Sequence, residues 1–223
     1  MNRLIDTLFE MGKAKGFEAQ EVYYSSSESM TVSAYQGEIE KFGISKDGGL
    51  SYRGIIDGKL GYSYTERVDE SSLEMLIEEA YANGKAIESQ DRVFIFGEKR
   101  DYVEVNSFDP GLEQVPVEDK IRMPLLLEKR VKEIAPELSD VSSCTYIESV
   151  SEMRMRNTLG LDLSDRSNYC LLYGVAMLKD GGETYTAYDG VIGNRYGDLN
   201  VETIAQNMVR EVRSKVGATP IPS

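Results

Sequence analysis

Histidine is absent from the 223 residues of this chain. Ser-His-Asp and Cys-His catalysis are therefore excluded within it. So is every zinc site that needs an imidazole, including the His-Glu-x-x-His arrangement. Cysteine is scarce: Cys144 and Cys170 cannot supply a four-thiolate site. No Walker-type Gly-x-x-x-x-Gly-Lys-Ser/Thr stretch occurs, and no Gly-x-Gly-x-x-Gly follows a strand-like run. No run of about eighteen apolar residues is present, so no transmembrane helix and no membrane partner are expected. Positive charge is in deficit, with 25 Lys and Arg against 38 Asp and Glu, a net charge of −13. A phosphate-backbone binder needs a basic face, so no direct nucleic-acid partner is expected. An enzyme made of these residues would have to use carboxylates, Lys, Tyr, Ser or Cys. The residues nominate no catalytic, cofactor-binding or metal-ligating position, and no cofactor is expected.

What is present is globular in character: 41% hydrophobic and 28% charged residues. The length lies between one domain and two. Asp6 stands where an export signal needs an apolar run, so none is expected. Two unpaired cysteines with no other redox signal suit a cytoplasmic protein.

Along the chain, Leu4, Ile5, Leu8 and Met11 recur at helical spacing, with Gly16 as a natural terminus. A five-strand meander is predicted next. Its runs are Val22–Tyr24, Met30–Ala34, Glu40–Ile44, Leu50–Ile56 and Lys59–Thr65, with turns at Gln36-Gly37, Asp47-Gly48-Gly49 and Asp57-Gly58. Ser71-x-x-Glu74 has the capping-box pattern before a helix ending near Ile87. Val93–Phe96 has strand character inside a connector. The same order then begins again. A helix follows Pro116, with Pro124 expected to kink it or mark its start. Strands are predicted over Val141–Ser149, around Met153 and Met155, and from Leu161. Tyr169–Leu178 is apolar at both parities, which predicts a central, fully covered strand. Asp180-Gly181-Gly182 is a turn, a glycine-rich loop holds Gly190, Gly193 and Gly197, and Asn200 caps a last helix closed by Gly217. The fold class is α+β, antiparallel meanders flanked by helices, arranged as two similar α-β(4-5)-α units or as one sheet shared by both halves. The expected organisation is an N-terminal unit over 1–90, a connector over 91–115, a central unit over 116–218, and a linker beginning at 219–223.

Cys144 and Cys170 fall in predicted strands, as buried thiols or, given a nearby base, as reactive ones. Tyr62, Tyr64, Tyr185 and Tyr188 stand beside turns at equivalent places in the two halves. They are rim tyrosines of half-buried strands or an aromatic peptide-binding surface. The acidic runs over 66–79 and 183–198 read as solvated faces.

The turns carry a resemblance. Gln36-Gly37-Glu38-Ile39-Glu40, Asp47-Gly48-Gly49-Leu50 and Asp57-Gly58-Lys59-Leu60-Gly61, followed by Tyr62-Ser63-Tyr64-Thr65, resemble in order and spacing the N-terminal signature of the TldD/PmbA family. Asn157-Thr158-Leu159-Gly160 is similar to the family's central Asn-Ser/Thr-x-Gly turn. The stretch from Asn106 to Pro116 looks more like the PmbA (TldE) branch. The resemblance implies a protein about twice this length. Its TldD-type members carry a zinc motif in a C-terminal half, their PmbA-type partners lack it, and the two form a protease for small peptides and unfolded segments. An older description is modulator of DNA gyrase. No family metal ligand has a matching position here. The resemblance therefore implies a non-catalytic region serving assembly and substrate enclosure, with a TldD-like subunit and peptides as partners. The alternative is an acidic regulatory protein acting alone. Self-association is expected as well, through apolar surface near Val216, Ile221 and Pro222.

Overall fold

A computed structural model describes residues 1–88, 91–97 and 102–218. The elements run α1 (Asn2–Lys15), β1 (Ala19–Tyr35), β2 (Glu38–Ile56), β3 (Lys59–Thr65) and α2 (Leu73–Ala86). After the short α3 (Pro110–Glu113) they run α4 (Val117–Ile134), β4 (Asp140–Asn157), β5 (Asp162–Asp180), β6 (Glu183–Gly193) and α5 (Val201–Ser214). Helix, three strands, helix thus occurs twice. The strands form one antiparallel sheet in the order β3-β2-β1-β4-β5-β6, which is the predicted α+β class.

Packing divides the chain into two compact units. Unit 1 holds Met1–Ser27, Lys46–Asn106 and Ser151–Arg166; unit 2 holds Glu28–Ser45, Ser107–Val150 and Ser167–Ser223. In unit 1, Ile5 and Leu8 of α1 and Leu76, Ile77 and Ala80 of α2 bury against Val22, Leu50 and Tyr52 of the strands. The Tyr52 hydroxyl donates to Gln20 Oε1 at 2.9 Å, so burying this large ring strands no polar atom. In unit 2, Leu127 and Val131 of α4 and Ile204, Met208 and Val212 of α5 cover Val32, Tyr146 and Leu172.

Three hairpin turns have positive φ at both central residues: Gln36-Gly37, Asp57-Gly58 and Gly181-Gly182. This is the type I′ geometry, whose twist matches the strands it joins. The register follows, with Ile56 opposite Lys59 and Asp180 opposite Glu183.

Several sequence expectations are corrected. The first meander has three strands, not five, because β1 runs unbroken through 25–29 and β2 through Asp47-Gly48-Gly49. These glycines serve close approach rather than a turn. A Cβ on Gly48 would lie 2.6 Å from the Ser25 carbonyl oxygen, and one on Gly49 would sit 2.6 Å from Cζ of Tyr64. The same continuity joins 141–149 to 153–156 in β4 and places Gly190 and Gly193 inside β6. Val93–Phe96 is not a strand. The predicted capping box is replaced by Asp69, whose side chain accepts from Ser71 N at 2.8 Å over a single 3-10 turn ahead of α2. Pro124 lies inside α4, seven residues from a start at Val117 where Pro116 is the N-cap. β5 is not covered on both sides: Cys170, Leu172 and Ala176 are buried, while the alternate residues are half-buried. Asn200 caps α5 as predicted, accepting from Thr203 N at 3.0 Å.

Candidate peptide-binding groove

β3 pairs with β2 only between Leu50 and Ile56. The ladder ends at Leu50 opposite Thr65, and β2 runs on past it through Lys46–Gly49. The divergence opens a groove of about 520 Å³ in unit 1. One wall is Tyr24, Ser25 and Ser26 of β1 with Lys46–Gly49 of β2; the other is Tyr64, Glu66 and Val68. Tyr64 is 48% exposed and lies across Gly49, where the missing side chain lets the ring rest on the strand backbone. The groove thus offers strand backbone, an aromatic face, two serine hydroxyls and charges of both signs. An extended segment can add to such an edge through main-chain hydrogen bonds.

The Asn157-Thr158-Leu159-Gly160 turn has a structural task in the same unit. Asn157 is buried, and its Oδ1 accepts from the N–H groups of Leu159 and Leu161, both at 3.0 Å. Its amide donates to the Phe96 carbonyl at 2.7 Å and to Glu21 Oε2 at 3.2 Å. Glu21, itself buried, is paired with Arg53 at 2.5 Å. A carboxylate cannot copy these donations and an apolar side chain can copy none of the bonds, which is why asparagine fits here.

Unit 2 holds a different buried ionic group. Lys120 of α4 meets Glu148 of β4 at 2.8 Å, and the Tyr146 hydroxyl donates to Glu148 at 2.6 Å. Burial, then the hydrogen bond to Glu148, raises the Tyr146 pKa far above that of a free phenol. The trio lines neither the groove nor a cavity beside Lys132, and it fastens α4 to the sheet. Glu128, a buried carboxylate of α4, accepts from Gly37 N at 3.0 Å and so holds the first hairpin tip. Sequence reading missed Glu21, Lys120, Glu128 and Glu148, since a charged residue in a helix or strand gives no local sign of burial.

The two cysteines are buried free thiols. Burial pushes Cys144 up to about 12 and Cys170 up to about 11, the opposite of an activated thiolate. Of the four turn tyrosines, Tyr64 lines the groove and Tyr62 is exposed, while Tyr185 packs partly into the unit 2 core and Tyr188 is exposed on β6. They do not form one surface. Val216 also packs partly into that core; Ile221 and Pro222 lie outside the described residues. Among the described residues, no group of three His, Cys, Asp or Glu side chains could hold a metal ion. No helix among them is long and apolar enough to cross a membrane.

The sequence pattern of PmbA/TldA metallopeptidase domain 1 matches residues 21–84, and that of the PmbA/TldA metallopeptidase central domain matches 110–216. The chain belongs to the PmbA/TldD family. No curated protein matches it. Solved structures of the same fold include a candidate modulator of a DNA gyrase from Thermotoga maritima, with TM-score 0.88 and 21% identity, covering 100% of this chain and 50% of that one. A candidate modulator of DNA gyrase from Bacteroides thetaiotaomicron gives TM-score 0.85 and 18% identity over 100% of this chain and 51% of that one. TldE from Thermococcus kodakarensis gives 0.85 and 19% over 98% and 49%. The chain thus spans about half the length of these PmbA/TldD-fold proteins. The turns from which the family resemblance was read lie within the matched segments, apart from the connector stretch beginning at Asn106.

Proposed function

We propose that this chain is the non-catalytic N-terminal and central region of a PmbA (TldE)-like subunit. In this reading it helps to enclose and present peptides in the cytoplasm to a TldD-like subunit that cleaves them. The observation that carries the reading is the groove in unit 1, where β2 runs on past the end of its ladder with β3 beside the Tyr64 ring. The ligand it suits is an extended polypeptide segment bound mainly through its backbone, with little demand on sequence. Family matches on either side of 91–109 support reading 91–115 as a connector between an N-terminal and a central region.

The test is fluorescence anisotropy with a labelled, unstructured ten-residue peptide and a copy carrying alternate prolines. Main-chain addition needs the peptide N–H groups, so the proline copy should bind at least about tenfold more weakly. Tyr64→Ala should weaken the parent peptide by a similar factor while leaving the far-ultraviolet circular dichroism unchanged. Equal binding of both peptides, or no effect of Tyr64→Ala, refutes the reading. The second reading, an acidic regulator acting alone, draws on the net charge of −13. It predicts that the chain alone changes DNA gyrase supercoiling in a salt-dependent way.

A further inference from the structure

β3 and β6 are the edge strands of the sheet. Each follows a two-residue turn whose flanking residues form a hydrogen-bonded pair, Ile56 with Lys59 and Asp180 with Glu183. From there the residues alternate, one bonding inward and the next turning its N–H and C=O out of the sheet, so Tyr62 and Thr186 point outward. The strands opposite agree. Ile55 stands opposite Leu60 and Met177 opposite Thr186, and both carbonyls are turned the other way, accepting from Glu18 N at 2.8 Å and Ser139 N at 2.9 Å. Each outward carbonyl is met by a side chain of the helix that follows its strand. In unit 1, Asn83 Nδ2 of α2 donates to the Tyr62 carbonyl at 2.9 Å. In unit 2, Lys215 Nζ, at the C-cap of α5, donates to the Thr186 carbonyl at 2.6 Å. The register is the same in both: the acceptor is the fourth residue after Gly58 in one hairpin and after Gly182 in the other.

We propose that Asn83 and Lys215 are stoppers that close the two edges of the sheet to a further polypeptide strand. An edge strand presents a row of N–H and C=O groups and is a template for strand addition. An incoming strand must bring its backbone to within about 4.8 Å of the edge. At Tyr62 and Thr186 a side chain already stands in that lane. A carbonyl can accept twice, so the barrier is the bulk of the stopper as well as the bond it makes. At Lys215 the added strand would also have to desolvate an ammonium group. These edges are attractive ones. Tyr62 is 51% exposed on β3, and Tyr188 and Ile192 are 73% and 65% exposed on β6, so an added strand would gain apolar cover along with its hydrogen bonds. The two stoppers differ in chemistry, an amide and an ammonium, and in place, Asn83 inside α2 and Lys215 just past α5. They nevertheless reach the same acceptor in the two halves, which is the mark of a shared task at the edge rather than of seating either helix. The inference does not depend on the groove of unit 1.

Asn83→Ala and Lys215→Ala, singly and together, test it by clearing the lanes. Both replace exposed side chains and leave the fold intact, which circular dichroism checks. Removing Lys215 takes the net charge from −13 to −14, so general repulsion works against the expected result. At about 50 μM and 37 °C the double variant should bind thioflavin T at least about tenfold more than the wild type within a day, and sedimentation velocity should show species larger than those of the wild type. Lys215→Arg, which restores a long donor, should match the wild type. Tyr188→Pro removes an outward N–H and no ladder bond, so adding it to Lys215→Ala should return assembly to the wild-type level. Asn200→Ala loosens the other end of α5 and leaves Lys215 in place; it should assemble no more than the wild type. A double variant that assembles no further than the wild type overturns the proposal. So does assembly of Asn200→Ala equal to that of Lys215→Ala, because loss of stability alone then accounts for it. If the double variant loses its fold, the two single variants are judged by the same outcomes.

Discussion

Replacing Gly61 by alanine tests how α2 is seated on β3. Gly61 has no positive φ, so alanine meets no backbone strain there. Its Cβ, however, would stand 2.8 Å from the Ala80 carbonyl carbon, closer still to the oxygen, and 3.3 Å from Gly84 N. These are backbone atoms of α2 and cannot rotate aside. The helix must retreat by about an ångström to restore ordinary contact distances. It would draw Leu76, Ile77 and Ala80 from the unit 1 core and stretch the 2.7 Å bond from Ser63 Oγ to the Leu76 carbonyl. Overpacking of this kind costs about 1–3 kcal/mol, and the lost hydrogen bond adds about 1 kcal/mol. Removing glycine's freedom from the unfolded chain returns about 0.4–1 kcal/mol. The net loss is about 2 kcal/mol, which moves a urea midpoint by about 1 M if the slope is near 2 kcal/mol/M. Gly58→Ala is the control. It faces open space but has φ +67, so its cost of about 1 kcal/mol is purely conformational. Urea unfolding followed by circular dichroism compares the two. A Gly61→Ala midpoint at or above the wild-type value would refute this account of the α2–β3 contact.

Other expectations concern stability, thiols and metal. Gly58→Val should cost about 1–3 kcal/mol, since a β-branched residue is strained in the type I′ turn; an unchanged unfolding midpoint would contradict it. Asn157→Asp removes the donations to Phe96 and sets a second carboxylate beside Glu21, so it should destabilise by about 2–4 kcal/mol at neutral pH and by less near pH 4, read from urea midpoints at both values. The Asp69 carboxyl is held at about 2, first by the Ser71 hydroxyl and then by Arg67. Its depressed pKa supplies stability that is complete above about pH 4 and disappears as pH falls through about 2, and Asp69→Asn should flatten the melting temperature across that window. The raised thiol pKa values work in the other direction: stability complete below about pH 9 declines as pH rises towards 11 and 12. Neither thiol should react with a disulfide reagent at pH 8 until urea unfolds the chain. After dialysis the chain should hold well under one zinc per molecule by elemental analysis; a stoichiometric, chelator-sensitive metal would overturn that.

Much of this protein is decided by local sequence. The absence of histidine removes whole classes of chemistry without any coordinates. Asp57-Gly58 and Gly181-Gly182 specify type I′ turns because few residues tolerate two successive positive φ angles, and those turns set two strand registers. The stripe from Val201 to Val212 specifies a one-faced helix, with Asn200 beginning it. Other features depend on neighbours distant in the chain. Asp47-Gly48-Gly49 has turn composition, yet it continues as strand because the Ser25 backbone and the Tyr64 ring occupy the space its side chains would fill. Glu21, Glu128 and Lys120 look like surface charges until Arg53, the Gly37 N–H and Glu148 are brought to them. The groove exists only because β3 ends its pairing with β2 at Leu50. Periodicity assigns a residue to one side of its own strand. Which sides share a surface, and what covers them, is settled by strand order and register, and these are set by contacts between residues far apart in the chain.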